Sequence, residues 1–258
     1  VRLIFPPKDS PPGTDASQGL TRQDLAEIYA YPSTDRPWVR ANMVTSADGA
    51  ATIHGRSSGL SSDADRSLFA LLRTLSDVIL VGAGTARAER YTAVRPHELW
   101  EDLRANGAPV PAIAVVTRRV SLDLNTPLIT AALPGAKTII ITTEQAPSEL
   151  RAAALKNADV IVAGEDTADL GMALAALGDR GYRRILAEGG PQLLGQLAAA
   201  ELLDELCLTI SPLVTSGVAG RIAVGTDAAQ MGKLVLQHVL EDQGFLFCRY
   251  TRRRPAIA

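Results

Sequence analysis

From about residue 38 the sequence alternates strand-like and helix-like runs, and that alternation confines the chain to the α/β class. Strands are expected at WVRANMV, DVILVG, AIAVVT, KTIIITT, ADVIVAG and RRILAEGG, with helices at SLFALLRTL, SELRAAALKN and DLGMALAALGDRG. The order changes near the end. LLDELCLTIS and GFLFCRYTR read as long strands, and LVLQHVLEDQG reads as a partner closed by a turn at Asp242, Gln243 and Gly244. Antiparallel C-terminal strands are therefore expected beside a mostly parallel central sheet with flanking helices. A length of 258 residues, 47% of them hydrophobic, suits one large core. Residues 1–36 read as an N-terminal extension and 37–258 as a single domain. The start, VRLIFPPKDSPPGTD, is too short and proline-rich for a signal peptide. LTRQDLAEIYAYP then offers a short helix with Thr21 and Asp24 as start signals and Pro32 as its stop. This arm is expected to pack on the core or on a second subunit.

A net charge of −2 argues against a nucleic-acid or anionic-membrane binder, and the one basic run, TRRR near the C-terminus, reads as a solvated tail. No apolar run reaches the roughly 18 residues of a membrane span. Cys207 and Cys248 are far apart with no CxxC pair, so neither a disulfide framework nor a zinc site is written here; buried thiols in a reducing cytoplasm are the expectation. His54, His97 and His238 have no metal-ligand spacing and are expected on the surface or in loops.

Two strands run into glycine. VILVGAGTARAER places Gly82, Gly84 and Thr85 directly after Val81, and RRILAEGGPQLLGQL places Gly189 and Gly190 before Pro191. A glycine turn between a buried strand and a helix leaves backbone N–H groups facing open space, where a phosphate can sit. The first stretch is not a Rossmann fingerprint, because Arg87 stands where the third glycine would be, and no lysine follows to make a Walker A loop. Its glycines are either plain turn residues or one of two anion cradles for a dinucleotide. AIAVVTRR ends a strand in Thr117 and Arg118, and arginine there suits bidentate contact with a 2′-phosphate, which favours NADPH over NADH.

Together these pieces resemble the reductase domain of riboflavin biosynthesis, the C-terminal half of bifunctional deaminase-reductases, whose fold is that of dihydrofolate reductases. The resemblance covers about residues 38–252 and rests on TSADGAAT, LLRTLSDVILVGAGTARAER and LAEGGPQLLGQL…LLDELCLTISPLV. The deaminase signature, His-x-Glu…Pro-Cys-x-x-Cys, does not occur. By position, the resemblance implies NADPH contacts at Thr45, Gly59, Gly82, Gly84, Thr85 and Glu89, and from Glu188 and Gly189 through Gly190, Pro191, Gln192 and Leu193 to Leu194. It implies substrate contacts at Ser57, Arg73, Arg95 and Glu188, with the two arginines suited to a phosphoribosyl group, and it implies a homodimer. Asn42 stands where the family carries a lysine, and ERYTAVR replaces its Asp-Asp-Pro segment.

A second likeness is to dihydrofolate reductases, which bind the pterin with an acid at the start of the first helix and a phenylalanine one turn later. Asp65 and Phe69 are four apart, on one face of the expected helix, so a carboxylate and a ring are offered together. The same residues also suit a helix N-terminus and a core position. Either chemistry delivers a hydride to the carbon of a C=N bond, and Asp65 and Asp48 are the candidate proton donors. Asp48-Gly49 also reads as a simple turn. The readings carried forward are a riboflavin-type pyrimidine reductase, a dihydropterin reductase, and a non-catalytic nucleotide-binding protein.

Overall fold

The computed structural model describes residues 1–5, 19–104, 108–225 and 233–252. Most of the proline-rich start and Arg253–Arg254 of the basic run lie outside them. Ten strands are formed: β1 (Arg2–Phe5), β2 (Trp38–Ser46), β3 (Val78–Gly82), β4 (Ala112–Val116), β5 (Ile139–Thr142), β6 (Asp159–Val162), β7 (Arg184–Ala187), β8 (Glu205–Ser211), β9 (Leu234–Asp242) and β10 (Phe245–Arg252). They make one sheet in the order β1-β9-β10-β8-β2-β7-β3-β4-β5-β6. From β8 through β6 all pairs are parallel, while β10 pairs antiparallel with β8 and β9, and β1 antiparallel with β9. The expected fold class therefore stands, with one difference. LLDELCLTIS has both kinds of neighbour, parallel to β2 on one side and antiparallel to β10 on the other, so it is the strand at which the sheet changes direction.

The apolar runs explain the parallel half. VILV of β3 and the runs of β4 and β5 are apolar at consecutive positions because both of their faces are covered. One face packs Val39, Leu80, Ala114 and Ile141 against α6 (Leu170–Asp179) and α7 (Pro191–Ala199). On the other, Leu68, Leu71 and Leu72 of α2 (Asp63–Leu75) meet Leu186, Cys207, Leu240 and Phe247, together with Leu25 of α1 (Arg22–Ile28). Short helices α3 (Ala83–Ala88), α4 (Pro127–Thr130) and α5 (Ser148–Ala154) complete the layers.

Local signals set the boundaries. The Thr21 hydroxyl accepts the Asp24 N–H and Asp24 returns the contact, a capping box that starts α1. Ser62 caps α2 by accepting the Asp65 N–H, and Asp63 and Asp65 follow in the first turn. Gln243 and Gly244, both with positive φ, form the two-residue turn between β9 and β10. The N-terminal arm lies on the core: Leu3 and Tyr29 are buried, and β1 adds an edge to the sheet.

Two expectations are corrected. Thr251 and Arg252 of the basic run belong to β10, and Arg252 forms an ion pair with Glu201. His238 is fully buried in β9, edge-on to the Tyr29 ring at 4.9 Å. Burial, then the Arg249 guanidinium, pushes its pKa down to about 3, so it is a neutral interior imidazole.

Candidate active site

Strands β3 and β7 are parallel neighbours, so the two glycine junctions emerge side by side at their carboxyl ends. The Gly82 N–H donates to the Gly189 carbonyl at 2.8 Å. A Cβ on Gly190 would lie 2.3 Å from Thr85 Oγ1, so any other residue there would push that hydroxyl aside. The Gly189–Gly190 peptide bond is cis. Gly84 is exposed, with open space where its Cβ would be, and both Gly84 and Gly190 line a cleft of about 700 Å³. Gln192 and Leu193 lie in the first turn of α7, whose N–H groups have no partner within the helix. Bare peptide edges from two adjacent turns fit the pyrophosphate of a dinucleotide.

The opposite wall comes from α2. Asp65, Phe69 and Arg73 follow at intervals of four, so the helix presents all three to the cleft. Arg73 forms a two-pronged ion pair with Glu188 at the end of β7, Nε to Oε1 and Nη2 to Oε2, each 2.7 Å. The Tyr91 hydroxyl donates to Glu188 Oε2 at 2.5 Å. The guanidinium carbon of Arg73 lies 4.2 Å from the Phe69 ring centre and 5.5 Å from that of Tyr91. Burial works against the Arg73 charge, but the Glu188 carboxylate outweighs it and holds the pKa above its ordinary value. Burial, then Glu188, raises the Tyr91 phenol well above its usual range, so Tyr91 stays a donor.

Asp65 is held on both oxygens: Ser61 Oγ donates to Oδ2 at 2.6 Å and Thr209 Oγ1 to Oδ1 at 2.7 Å. Glu89, just past α3, accepts the Ser57 N–H at 2.9 Å and the Ser57 hydroxyl at 3.0 Å, pinning the loop after β2 across the cleft. Thus Asp65, Phe69, Arg73, Ser57, Glu89, Glu188, Gly84, Thr85, Gly190 and Pro191 are brought together as cleft-lining residues.

Other sequence candidates fall elsewhere. Asp48 is a loop clasp and not a cleft acid: it accepts the Ser46 hydroxyl and the N–H groups of Ser216 and Thr215, contacts that hold its carboxyl at about 2. Arg95 is exposed and off the cleft wall, its own N–H donating to Glu98. Thr45 is buried, its hydroxyl donating to the Ala50 carbonyl at 3.1 Å, and Gly59 packs toward Ile53. Val81, Leu193 and Leu194 are core side chains and Gln192 is exposed, so α7 can offer a ligand only main-chain groups there. Gly82 and Gly189 shape the junctions from behind. Thr117 accepts the Ser121 N–H at 3.0 Å, and Arg118 is exposed, its Nε donating to the Asp166 carbonyl at 2.6 Å. Sequence reasoning missed Tyr91 and Thr209. Thr209 had a signal, a polar residue at the inward parity of an apolar strand, whereas Tyr91 lies in a loop without periodicity.

The model of the RibD C-terminal domain matches residues 37–244. The chain belongs to the RibD C-terminal domain family. A member from Archaeoglobus fulgidus, 2,5-diamino-6-ribosylamino-4(3H)-pyrimidinone 5′-phosphate reductase, is 32% identical over 186 residues, which is 70% of this chain and 83% of that one. The crystal structure of a pyrimidine reductase-like protein from Corynebacterium diphtheriae superposes with a TM-score of 0.78 at 29% identity, covering 90% of this chain and 99% of that one. The deaminase/reductase of Thermotoga maritima shares the fold, with a TM-score of 0.64 at 17% identity over 84% of this chain and 57% of that one. RibD-family membership makes the chain a reductase of the riboflavin-pathway type, drawing on a nicotinamide cofactor.

Proposed function

We propose that this RibD-family chain is an NADPH-dependent reductase of a ribosylamino-pyrimidinone 5′-phosphate, acting on the C=N carbon of the opened ribosyl chain. One observation carries the reading: both glycine junctions and the Arg73–Glu188–Tyr91 group face the same cleft. The names of the reductases to which the chain is similar support the substrate.

A nicotinamide dinucleotide, when bound, supplies the hydride. The chain's own residues do the rest. Peptide N–H groups at Gly84 and in the first turn of α7 hold the pyrophosphate. Arg118, at the carboxyl end of the strand next to β3, takes the 2′-phosphate, which is the basis for preferring NADPH. Glu188, its charge balanced by Arg73 and its orientation fixed by Tyr91, accepts hydrogen bonds from the amino groups of the pyrimidine. Asp65 gives its proton to the imine nitrogen as the carbon gains the hydride. Ser61 and Thr209 hold the carboxyl in place through one oxygen each, and either hydroxyl can turn to accept while the other goes on donating. Asp65 lies on the wall with Phe69, and this favours dihydropterin as the second reading.

The experiment is NADPH oxidation with each substrate. The first reading expects turnover of the phosphorylated pyrimidinone, and turnover of dihydropterin alone replaces it with the second. Cofactor binding without turnover of either supports the non-catalytic alternative. Arg118→Ala is expected to weaken NADPH far more than NADH, and equal weakening removes the argument for the phosphorylated cofactor.

The functional unit in this reading is a cytoplasmic homodimer. Leu208 and Ile210 of β8 and Leu246 and Tyr250 of β10 share the sheet face opposite Phe247 and are only half-buried. A second copy covers them, and Leu208→Arg is expected to give monomers by light scattering.

A further inference from the structure

Three arginines line the cleft, Arg66, Arg73 and Arg90. Two are already committed: Arg66 pairs with Asp63 and Arg73 with Glu188. Arg90 is exposed, and its side chain has no partner among the described residues. Glu89 and Glu98 also line the cleft, so of its three arginines only Arg90 offers an unpaired positive charge to an anionic substrate group.

The backbone at Arg90 supplies a clean way to remove its side chain. Helix α3 closes with the Arg90 N–H donating to the Arg87 carbonyl at 3.2 Å and the Tyr91 N–H donating to the Ala86 carbonyl at 2.9 Å. This paired closure places the residue after the cap in the left-handed region, and glycine is the usual occupant. Here it is arginine, at φ +54°. A side chain in that conformation is disfavoured relative to glycine. At the rim of the cleft, Arg90 thus occupies a position that glycine can take without backbone strain, as Glu201 does at the end of α7.

We propose that Arg90 is a specificity-determining residue that binds the terminal phosphate of the substrate at the mouth of the cleft. The inference rests on the pyrimidinone 5′-phosphate reading above. A guanidinium offers the two parallel N–H groups that a phosphate dianion accepts. Arg73, buried and neutralised by Glu188, is then left to orient the ring-binding carboxylate, and the phosphate stays at the exposed end of the same cleft.

The test is Arg90→Gly, because glycine suits the backbone and the variant folds at least as well. Its melting temperature is expected to stay level or rise. Its KM for the phosphorylated substrate is expected to rise about 10- to 100-fold, the scale of one lost charge-assisted contact, with a smaller change in kcat. The dephosphorylated counterpart is expected to lose less than threefold in kcat/KM, and Arg90→Lys to recover part of the loss. An unchanged KM for the phosphorylated substrate, an equal loss with both substrates, or a loss that falls on the KM for NADPH overturns the proposal. If the unaltered protein turns over neither substrate, the pyrimidinone reading has failed, and calorimetry with ribose 5-phosphate decides about Arg90 separately. Binding that disappears in Arg90→Gly upholds the phosphate site; equal binding, or none by either protein, sinks it.

Discussion

Two glutamates on the sheet each grip arginine almost out of water, yet they lie at opposite ends of the parallel strands. Glu188 follows the carboxyl end of β7, where it pairs with Arg73; the side chains are 2% and 14% exposed. Glu205 begins β8 and meets Arg40 and Arg249, with Arg40 and Glu205 wholly enclosed. Trp38 Nε1 also donates to Glu205 at 3.0 Å. Burial raises the Glu205 carboxyl, but the two guanidinium groups outweigh it and hold it at about 2. In a parallel sheet the crevice for a ligand opens beyond the carboxyl ends of the strands. The same kind of ion pair is thus part of a cleft wall at one end and part of the scaffold at the other.

The largest effect that this contrast predicts is on stability. Glu205→Ala leaves Arg40 and Arg249 facing each other without a counter-charge, and breaking a buried pair in this way costs about 3–5 kcal/mol. Urea unfolding is expected to show that loss, and a loss below about 1 kcal/mol would mean that water reaches the pair. Glu188→Gln keeps the shape and borders the cleft, so solvent relieves part of the Arg73 charge. Its expected cost is smaller, about 1–2 kcal/mol, while turnover falls about 100-fold. Comparable stability losses without a turnover defect would erase the distinction between the two pairs.

The parts of this contrast differ in how legible they are in sequence. Consecutive apolar residues in VILVG, and the glycines that follow, announce both a covered parallel strand and a turn at its carboxyl end. Asp65, Phe69 and Arg73 could be assigned to one face because their spacing is local. The pairing of Arg73 with Glu188 spans 115 positions and depends on which strands become neighbours, so Arg73 reads in sequence as a free phosphate ligand. The direction of β8 is equally hidden, since it is set by the crossover and not by the strand's own residues. His238 fails for another reason: the register of β9 against β10 shifts between His238 and Leu236, and this irregularity spoils the parity by which an inward residue is recognised.

That histidine gives the scaffold pair a pH signature of its own. Arg249 on β10, Arg40 on β2 and Glu205 on β8 all act on it, while Tyr29 packs on its ring. Its folded pKa of about 3 lies below the ordinary 6.5, so the unfolded chain binds the extra proton first. The stabilisation is complete above pH 6.5 and is lost as pH falls from there towards 3, with a slope of up to ~1.4 kcal/mol per pH unit. His238→Phe keeps a ring beside Tyr29 and is expected to flatten this slope in unfolding measurements between pH 6.5 and 4.5. A slope unchanged by the substitution would place the acid sensitivity on other groups.

The smallest effect separates the orientation of Glu188 from its charge. Tyr91→Phe removes one hydrogen bond to Glu188 Oε2 and leaves both contacts from Arg73, so the charge stays balanced while one restraint on the carboxylate is gone. A single such bond contributes about 1 kcal/mol. Steady-state kinetics are therefore expected to show a several-fold loss in kcat/KM, well short of Glu188→Gln, and the melting temperature to fall by only about 2–4 °C. A loss as large as that of Glu188→Gln would mean that the phenol itself touches substrate. No loss at all would mean that the guanidinium alone positions the carboxylate, so that the aromatic pair Phe69 and Tyr91 serves only to shield the ion pair from water.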